Sequence, residues 1–282
     1  GGDRTAYDHH AAYGDRTAHD HPTAYGGGDM TAGHPVGEGN ALLDGVMRYV
    51  VIGPAFYALA RPTVVGREHI PPEGSPAIIA SNHLSFSDSM VIPLASGRRV
   101  SFLGKAEYFH GTGVKGALMR AWFRSFGTIP VERTDARAAA ESLHLAERVL
   151  GAGGAFGIYP EGTRSRDGRL HKGRTGVARL ALSTGAPIVP CALIGTDKLQ
   201  PPDARVLRPT KVTVQFGPAI DVAALQAQFT KAALLRAITD AVMDSIGAMS
   251  GQERSARYAS DVNAELDARG SGEAGSREPF AG

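Results

Sequence analysis

The chain has 282 residues, 43% of them hydrophobic and 21% charged, a balance that excludes wholesale disorder and a polytopic membrane protein. Its one cysteine, Cys191, excludes an intrachain disulfide framework and a cysteine-rich zinc site. The net charge of +2 conceals a division: residues 41–249 hold 24 Lys and Arg against 16 Asp and Glu, and both ends are acidic. A body of +8 favours an anionic partner, whether phosphate, nucleic acid or a negatively charged membrane.

Residues 1–40 open with a near-repeat, Gly2–His9 returning as Gly14–His21, and hold no Leu, Ile, Val or Phe before Val36. Such a stretch has nothing with which to bury a core. It reads as a disordered low-complexity extension or an added leader. The most apolar segment follows at 41–62, where a run without charged residues, Tyr49–Ala60, lies between Arg48 and Arg61 and is broken by Gly53-Pro54. A spanning helix needs about 20 residues, so this run is too short to cross a bilayer. Two readings stay open on composition: an amphipathic helical motif in a membrane interface, with Tyr49, Phe56 and Tyr57 inserted, or a helix packed on the domain core.

From Thr63 onward, β-rich runs alternate with helical patterns. Strands are expected at Ala77–Ser81, Val100–Leu103, Thr128–Val131, Ala155–Tyr159, Ile188–Ile194 and Lys211–Phe216. Helices are expected at Asp88–Ala95, Val114–Phe123, Ala136–Leu150, Gly173–Ser183 and Lys231–Met249. This alternation predicts a single α/β sandwich over 63–250, a mixed sheet flanked by helices. Residues 251–282 turn polar and read as a C-terminal tail with room for one short helix.

Two segments carry residues suited to chemistry. In Ser81-Asn82-His83-Leu84-Ser85-Phe86-Ser87-Asp88 an apolar strand ends at Ser81, which puts His83 at a strand exit where a ligand can reach it. A loop folding back can bring the Asp88 carboxylate to Nδ1 of His83 and leave Nε2 to accept a proton, as a general base requires. The same string also fits a helix-capping Asp88 or Ser87 beside an unrelated histidine. In Tyr159-Pro160-Glu161-Gly162-Thr163-Arg164-Ser165-Arg166, a strand stops at Pro160 and Gly162 permits close backbone approach. Arg164 and Arg166 offer guanidinium forks, with Arg169, Lys172 and Arg174 just beyond, before a helix expected to start near Gly173. Arginines with turn N–H groups bind phosphate monoesters, although a solvated basic turn has the same composition. Gly127–Arg133 and Ile188–Gly195 are two further strand-ending segments, each weak alone, and Cys191 reads as a small core residue.

In this order and spacing the four segments resemble the glycerolipid acyltransferase family, and most closely its 1-acylglycerol-3-phosphate acyltransferase branch. Asn82 to Asp88 matches N-H-x-S-x-x-D, and Gly127 to Arg133 matches G-x-I-P-V-[DE]-R. Tyr159 to Ser165 matches [FY]-P-E-G-T-R-S, and Val189 to Gly195 matches V-P-x-x-[IL]-x-G. The resemblance covers about residues 45–250. Glu132 stands where Asp is common, and His171-Lys172-Gly173-Arg174 replaces a Phe-Lys-Lys-Gly type of sequence.

The resemblance implies that His83 removes a proton from the acceptor's 2-hydroxyl and that Asp88 orients the imidazole. It implies phosphate binding by Gly162, Thr163, Arg164, Arg133 and Lys105, with Asn82, Ser85, Glu161 and Lys172 as supporting motif residues. The substrates it implies are lysophosphatidic acid and an acyl thioester, acyl-CoA as co-substrate or acyl carrier protein, with no metal, prosthetic group or nucleic acid. It also tips 41–62 towards docking on an anionic membrane, peripheral on the cytoplasmic face. The alternatives are the same chemistry on glycerol-3-phosphate or a glycolipid hydroxyl, and a non-catalytic basic membrane-binding module.

Overall fold

The computed structural model describes residues 53–105, 127–131, 136–201 and 206–275, with single positions 45, 46, 50, 112, 113, 116 and 204. These lie in the second of two compact units, Val36–Gly282. The expectations for residues 1–40, Tyr49, Glu132 and Arg133, and nearly all of that for the helix at 114–123, fall outside the described residues. Of Lys105 only the backbone is described.

Among the described residues seven strands form one mixed sheet: β1 (Thr63–Val65), β2 (Ala77–Ser81), β3 (Val100–Lys105), β4 (Thr128–Val131), β5 (Ala155–Ile158), β6 (Ile188–Ile194) and β7 (Thr213–Phe216). Their order is β1-β7-β6-β2-β5-β3-β4. From β6 through β2, β5 and β3 to β4 every pairing is parallel; β7 runs antiparallel to β6, and β1 is parallel to β7. The three-residue edge strand β1 has no counterpart among the sequence expectations, because Thr-Val-Val is too short to show a period.

Helices cover both faces. On one lie α1 (Gly53–Ala60) and α2 (Asp88–Ser96); on the other α3 (Ala136–Gly151), α4 (Gly176–Thr184) and α7 (Lys231–Ser250). The short α5 (Thr196–Leu199) and α6 (Val222–Gln228) lie in connections, and α8 (Ala259–Gly275) follows α7. Strand β2 explains the layering. All five of its residues are buried, Ile79 in the core under α1 and α2, Ile78 and Ala80 in the core under α4 and α7. A strand covered on both sides reads as a continuous apolar run, which is the Ala-Ile-Ile-Ala seen in the sequence. Pro190 sits in β6 where its ladder with β7 ends: its carbonyl accepts from Gly217 N–H, and registered pairing starts with Cys191 opposite Phe216.

Two expectations need correction. Phe56 is only 4% exposed and belongs to the core, so it is not a membrane-inserted side chain. Gly53, Phe56 and Ala60 fall on one face of α1, and the Leu59 and Ala60 carbonyls accept from Thr210 and Val212, which ties α1 to the sheet edge. The second concerns the C-terminal tail, which contains a 17-residue helix, α8. Its apolar periodicity is too weak to reveal it, because polar contacts hold it in place. Among the described residues no helix is long and apolar enough to cross a membrane.

Gly157 in β5 has a packing reason. A Cβ there would lie 2.1 Å from the Phe102 ring, which crosses this position and stacks on Tyr159 with centroids 5.3 Å apart. Gly157→Ala should therefore lower stability by about 1–3 kcal/mol through overpacking, read as a lower urea midpoint. An unchanged midpoint would mean that the ring moves freely aside.

Candidate active site

The sheet register brings the two chemical segments together. β2 and β5 are parallel neighbours with Ala80 opposite Ile158, so Asn82-His83 and Tyr159-Pro160-Glu161 leave the sheet side by side. Carboxyl ends of parallel strands are where α/β sheets place ligand sites.

Nδ1 of His83 lies 2.8 Å from Oδ2 of Asp88. A carboxylate only accepts, so Nδ1 carries the proton and Nε2 keeps its lone pair. The same Oδ2 accepts from the backbone N–H groups of Leu84 (2.7 Å) and Ser85 (2.8 Å). Asp88 is the first residue of α2 and is preceded by an N-cap, Ser87, whose side chain makes no capping bond. Its carboxylate turns back into the loop and folds residues 83–88 into a tight ring, so the capping alternative does not describe it. Asp88 is fully buried and the His83 side chain is 17% exposed, which leaves the imidazole an open edge.

Three further groups fix the histidine. The Tyr159 ring stacks on the imidazole, centroids 3.8 Å apart and planes 8° apart, and its hydroxyl meets Ser89 Oγ at 2.9 Å. Asn82, fully buried, grips one residue of β6: its Oδ1 accepts from Leu193 N–H at 2.8 Å and its Nδ2 donates to the Leu193 carbonyl at 2.9 Å. Ser85 Oγ donates to the Gln200 carbonyl and meets Ser87 Oγ, both at 3.0 Å. The fourth motif thus supports the first through backbone atoms, which explains why its side chains looked uninformative.

Glu161 joins the histidine to the basic loop. Its Oε2 accepts from His83 N–H at 3.2 Å and its Oε1 from His171 N–H at 2.9 Å. Burial raises its carboxyl to about 7, against the lowering effect of the His171 and His83 amides and with a further push from Asp167 and Asp88. The loop closes on itself, Arg174 N–H to the Pro160 carbonyl at 2.7 Å and Ser165 N–H to the His83 carbonyl at 2.8 Å. Gly162 turns it with φ of +78°, a conformation that side chains rarely adopt. Within it, buried His171 places Nε2 2.8 Å from Asp167 Oδ1.

The candidate phosphate ligands Gly162 and Arg164 are exposed and Thr163 is half-buried, all on this loop beside His83. Lys105 ends β3, opposite Val131 of β4. α4 begins at Gly176, so Gly173–Thr175 belong to the loop and not to the helix expected there. Lys172 has an aromatic neighbour: its Nζ sits 5.3 Å from the Tyr258 ring centroid. Gln252, Tyr258 and Asn263, which also touch the site, lie in the segment read as a tail and carry no motif signal. Tyr159 was inside a motif, but its stacking on His83 depends on the β2–β5 register.

Comparison with known proteins agrees with this geometry. Residues 61–194 match the acyltransferase family's sequence model. The chain is 33% identical over 148 residues to a chloroplastic 1-acyl-sn-glycerol-3-phosphate acyltransferase of Arabidopsis thaliana, covering 52% of this chain and 40% of the relative. A chloroplastic counterpart from Brassica napus is 32% identical, with 52% and 41% covered. The chain thus spans about two fifths of the length of these plant relatives. A 1-acyl-sn-glycerol-3-phosphate acyltransferase of Borreliella burgdorferi is 29% identical, with 65% of this chain and 70% of the relative covered. The fold is similar to the crystal structure of the 1-acyl-sn-glycerophosphate acyltransferase PlsC from Thermotoga maritima, at a TM-score of 0.55 and 25% identity over 74% of this chain and 79% of that one.

The raised Glu161 carboxyl has a consequence for stability. Between the ordinary value of 4.5 and about 7 the folded chain keeps a proton that the unfolded chain releases. The stability this proton confers is complete below 4.5 and is lost as pH rises to about 7, a change of about 3 kcal/mol. Glu161→Gln removes that dependence. The stability of wild type relative to Glu161→Gln should fall by about 3 kcal/mol between pH ~4.5 and ~7.5 in urea unfolding. A pH-independent difference would place the carboxyl in a solvated setting.

Proposed function

We propose, from the match of residues 61–194 to the acyltransferase family's sequence model, that this protein transfers an acyl group from acyl-CoA to the 2-hydroxyl of 1-acyl-sn-glycerol-3-phosphate, giving phosphatidic acid. The observation that carries this reading is the 2.8 Å His83–Asp88 pair beside a loop that exposes Arg164. The names of the plant and bacterial relatives support the choice of acceptor.

In the reaction, Nε2 of His83 takes the proton of the acceptor hydroxyl as its oxygen attacks the thioester carbonyl. The imidazolium that forms is offset by Asp88 at Nδ1, while the two backbone N–H groups on Oδ2 hold the carboxylate in place. The tetrahedral adduct then collapses, the C–S bond breaks, and the thiolate recovers the proton from Nε2. No acyl-enzyme is required. Arg164, with the backbone at Gly162 and Thr163, binds the acceptor's phosphate, and this contact fixes which hydroxyl reaches His83.

The 1-acyl acceptor is a membrane lipid, so the protein docks to reach it, peripherally and on the cytoplasmic face. Phe56 being core, docking falls to the exposed side chains nearby: Val46, Val50 at 66% exposed and Tyr57 at 48%, with exposed Pro54, Ala55 and Ala58 on the outer face of α1. Lys and Arg of the +8 body add attraction to anionic lipid.

His83→Ala should lower kcat at least about 100-fold in a thiol-release assay with palmitoyl-CoA and lysophosphatidic acid, with the circular dichroism of the protein unchanged. Asp88→Asn keeps the volume but loses the charge facing the imidazolium, and should be similarly severe. Near-normal turnover by folded His83→Ala would overturn the mechanism. For docking, Val50→Asp combined with Tyr57→Asp should weaken sedimentation with anionic vesicles by roughly tenfold or more, since two apolar anchors are lost. Undiminished sedimentation would place the anchor elsewhere.

A further inference from the structure

Residues 252–267 lie beyond the family match at 61–194, yet they cross the site as a strap. Gln252 is its first contact. Its Oε1 accepts from Asn82 Nδ2 at 2.7 Å and its Nε2 donates to the Gly168 carbonyl at 2.8 Å, so one carboxamide links the residue before His83 to the basic loop. Backbone bonds follow: Leu170 N–H to Glu253, Ser255 N–H to Leu170 and Lys172 N–H to Arg257, each 2.9 Å. Asn263 Nδ2 then donates to the Arg164 carbonyl at 2.9 Å.

The strap also engages the loop's charges. Arg166 pairs with Asp267, and Arg169 with Glu253 at 3.2 Å. Lys172 and Arg174 lie 5.3 and 5.0 Å from the Tyr258 ring centroid, and Arg174 donates to Ser260 Oγ at 3.0 Å. Four of the five cations between 160 and 174 therefore have partners on the strap. The Arg164 guanidinium makes no hydrogen bond or ion pair among the described residues. Exposed ion pairs and cation–π contacts add little to folding stability, and Ala259 is the buried side chain among residues 259–269 of α8. The consequence of this set is positional.

We propose that residues 252–267 determine acceptor specificity: they occupy Arg166, Arg169, Lys172 and Arg174, present Arg164 to a phosphate monoester, and through Gln252 and Asn263 fix its distance from His83. This rests on the acceptor assigned above. Gln252 and Asn263 are positioning residues, acting through Asn82, the loop backbone and Arg164.

The test uses full-length wild type, Gln252→Leu and Asn263→Leu, both sites being half-buried and outside the two hydrophobic cores. Binding of a short-chain lysophosphatidic acid, below its micelle concentration and without donor, is read by calorimetry; turnover is read with that acceptor and with a monoacylglycerol. In each variant Kd and KM for lysophosphatidic acid should rise roughly tenfold while kcat stays within about threefold, as expected for loss of ground-state binding. The KM for monoacylglycerol, which has no phosphate, should stay constant. In an Arg164→Ala background Gln252→Leu should add less than about twofold, because coupled residues are not additive. Unchanged Kd in both variants, or equal losses on both acceptors, would overturn the proposal. Strap-dependent binding in a wild type that transfers no acyl group would support the strap and overturn the reaction.

Discussion

The carboxylate of Glu161 is where the two halves of the site meet. One oxygen holds the backbone N–H of His83 and the other that of His171, so the end of β2 and the basic loop after β5 share a single buried carboxyl group. Such a group is expensive to bury, which is why its carboxyl is raised, and two amide donors are what make it tolerable. The arrangement presupposes the parallel β2–β5 pairing, which sets the two strand exits abreast. The other supports attach to that junction: Tyr159 against the imidazole, Asn82 on β6, Asp88 folded back from α2.

How much of this was legible in the sequence depended on the kind of force involved. Strands β2 and β6 are buried on both faces, so their apolar runs gave them away, and the His83–Asp88 pair could be read from a five-residue spacing that a loop can close. Edge strand β1, three residues long, offers no periodicity to read. Phe56 was misjudged because an apolar helix at a chain edge looks the same whether it faces lipid or a sheet; the bonds from Thr210 and Val212 to the α1 carbonyls decide it, and these are long-range. Gln252 and Asn263 left no trace, since a carboxamide bonded to distant backbone atoms resembles any surface residue. What pattern reading recovers is burial and local geometry; what it misses is polar contact across the chain.

The same distinction bears on charge. The +8 body suggested a general attraction to anions, and the loop at 160–174 concentrates five cations. In the fold most of those cations are turned to acidic or aromatic partners from a segment whose own net charge is negative. A cluster of basic residues is therefore a poor guide to the number available to a ligand. Geometry reduces the field around the site to a directed contact, and the proposed transfer needs direction more than field strength, because in it the acceptor hydroxyl meets Nε2 of His83 within hydrogen-bond distance.

The central claim is that acyl transfer to a phosphate-bearing glycerol acceptor takes place at this site. The most direct measurement follows the acyl group itself: purified protein is given acyl-labelled palmitoyl-CoA with unlabelled lysophosphatidic acid, and the labelled lipids are identified by mass spectrometry. The account predicts label in phosphatidic acid, esterified at the 2-position, in proportion to the CoA released. Label that remains in palmitoyl-CoA, or that appears as free fatty acid irrespective of the acceptor, would contradict it.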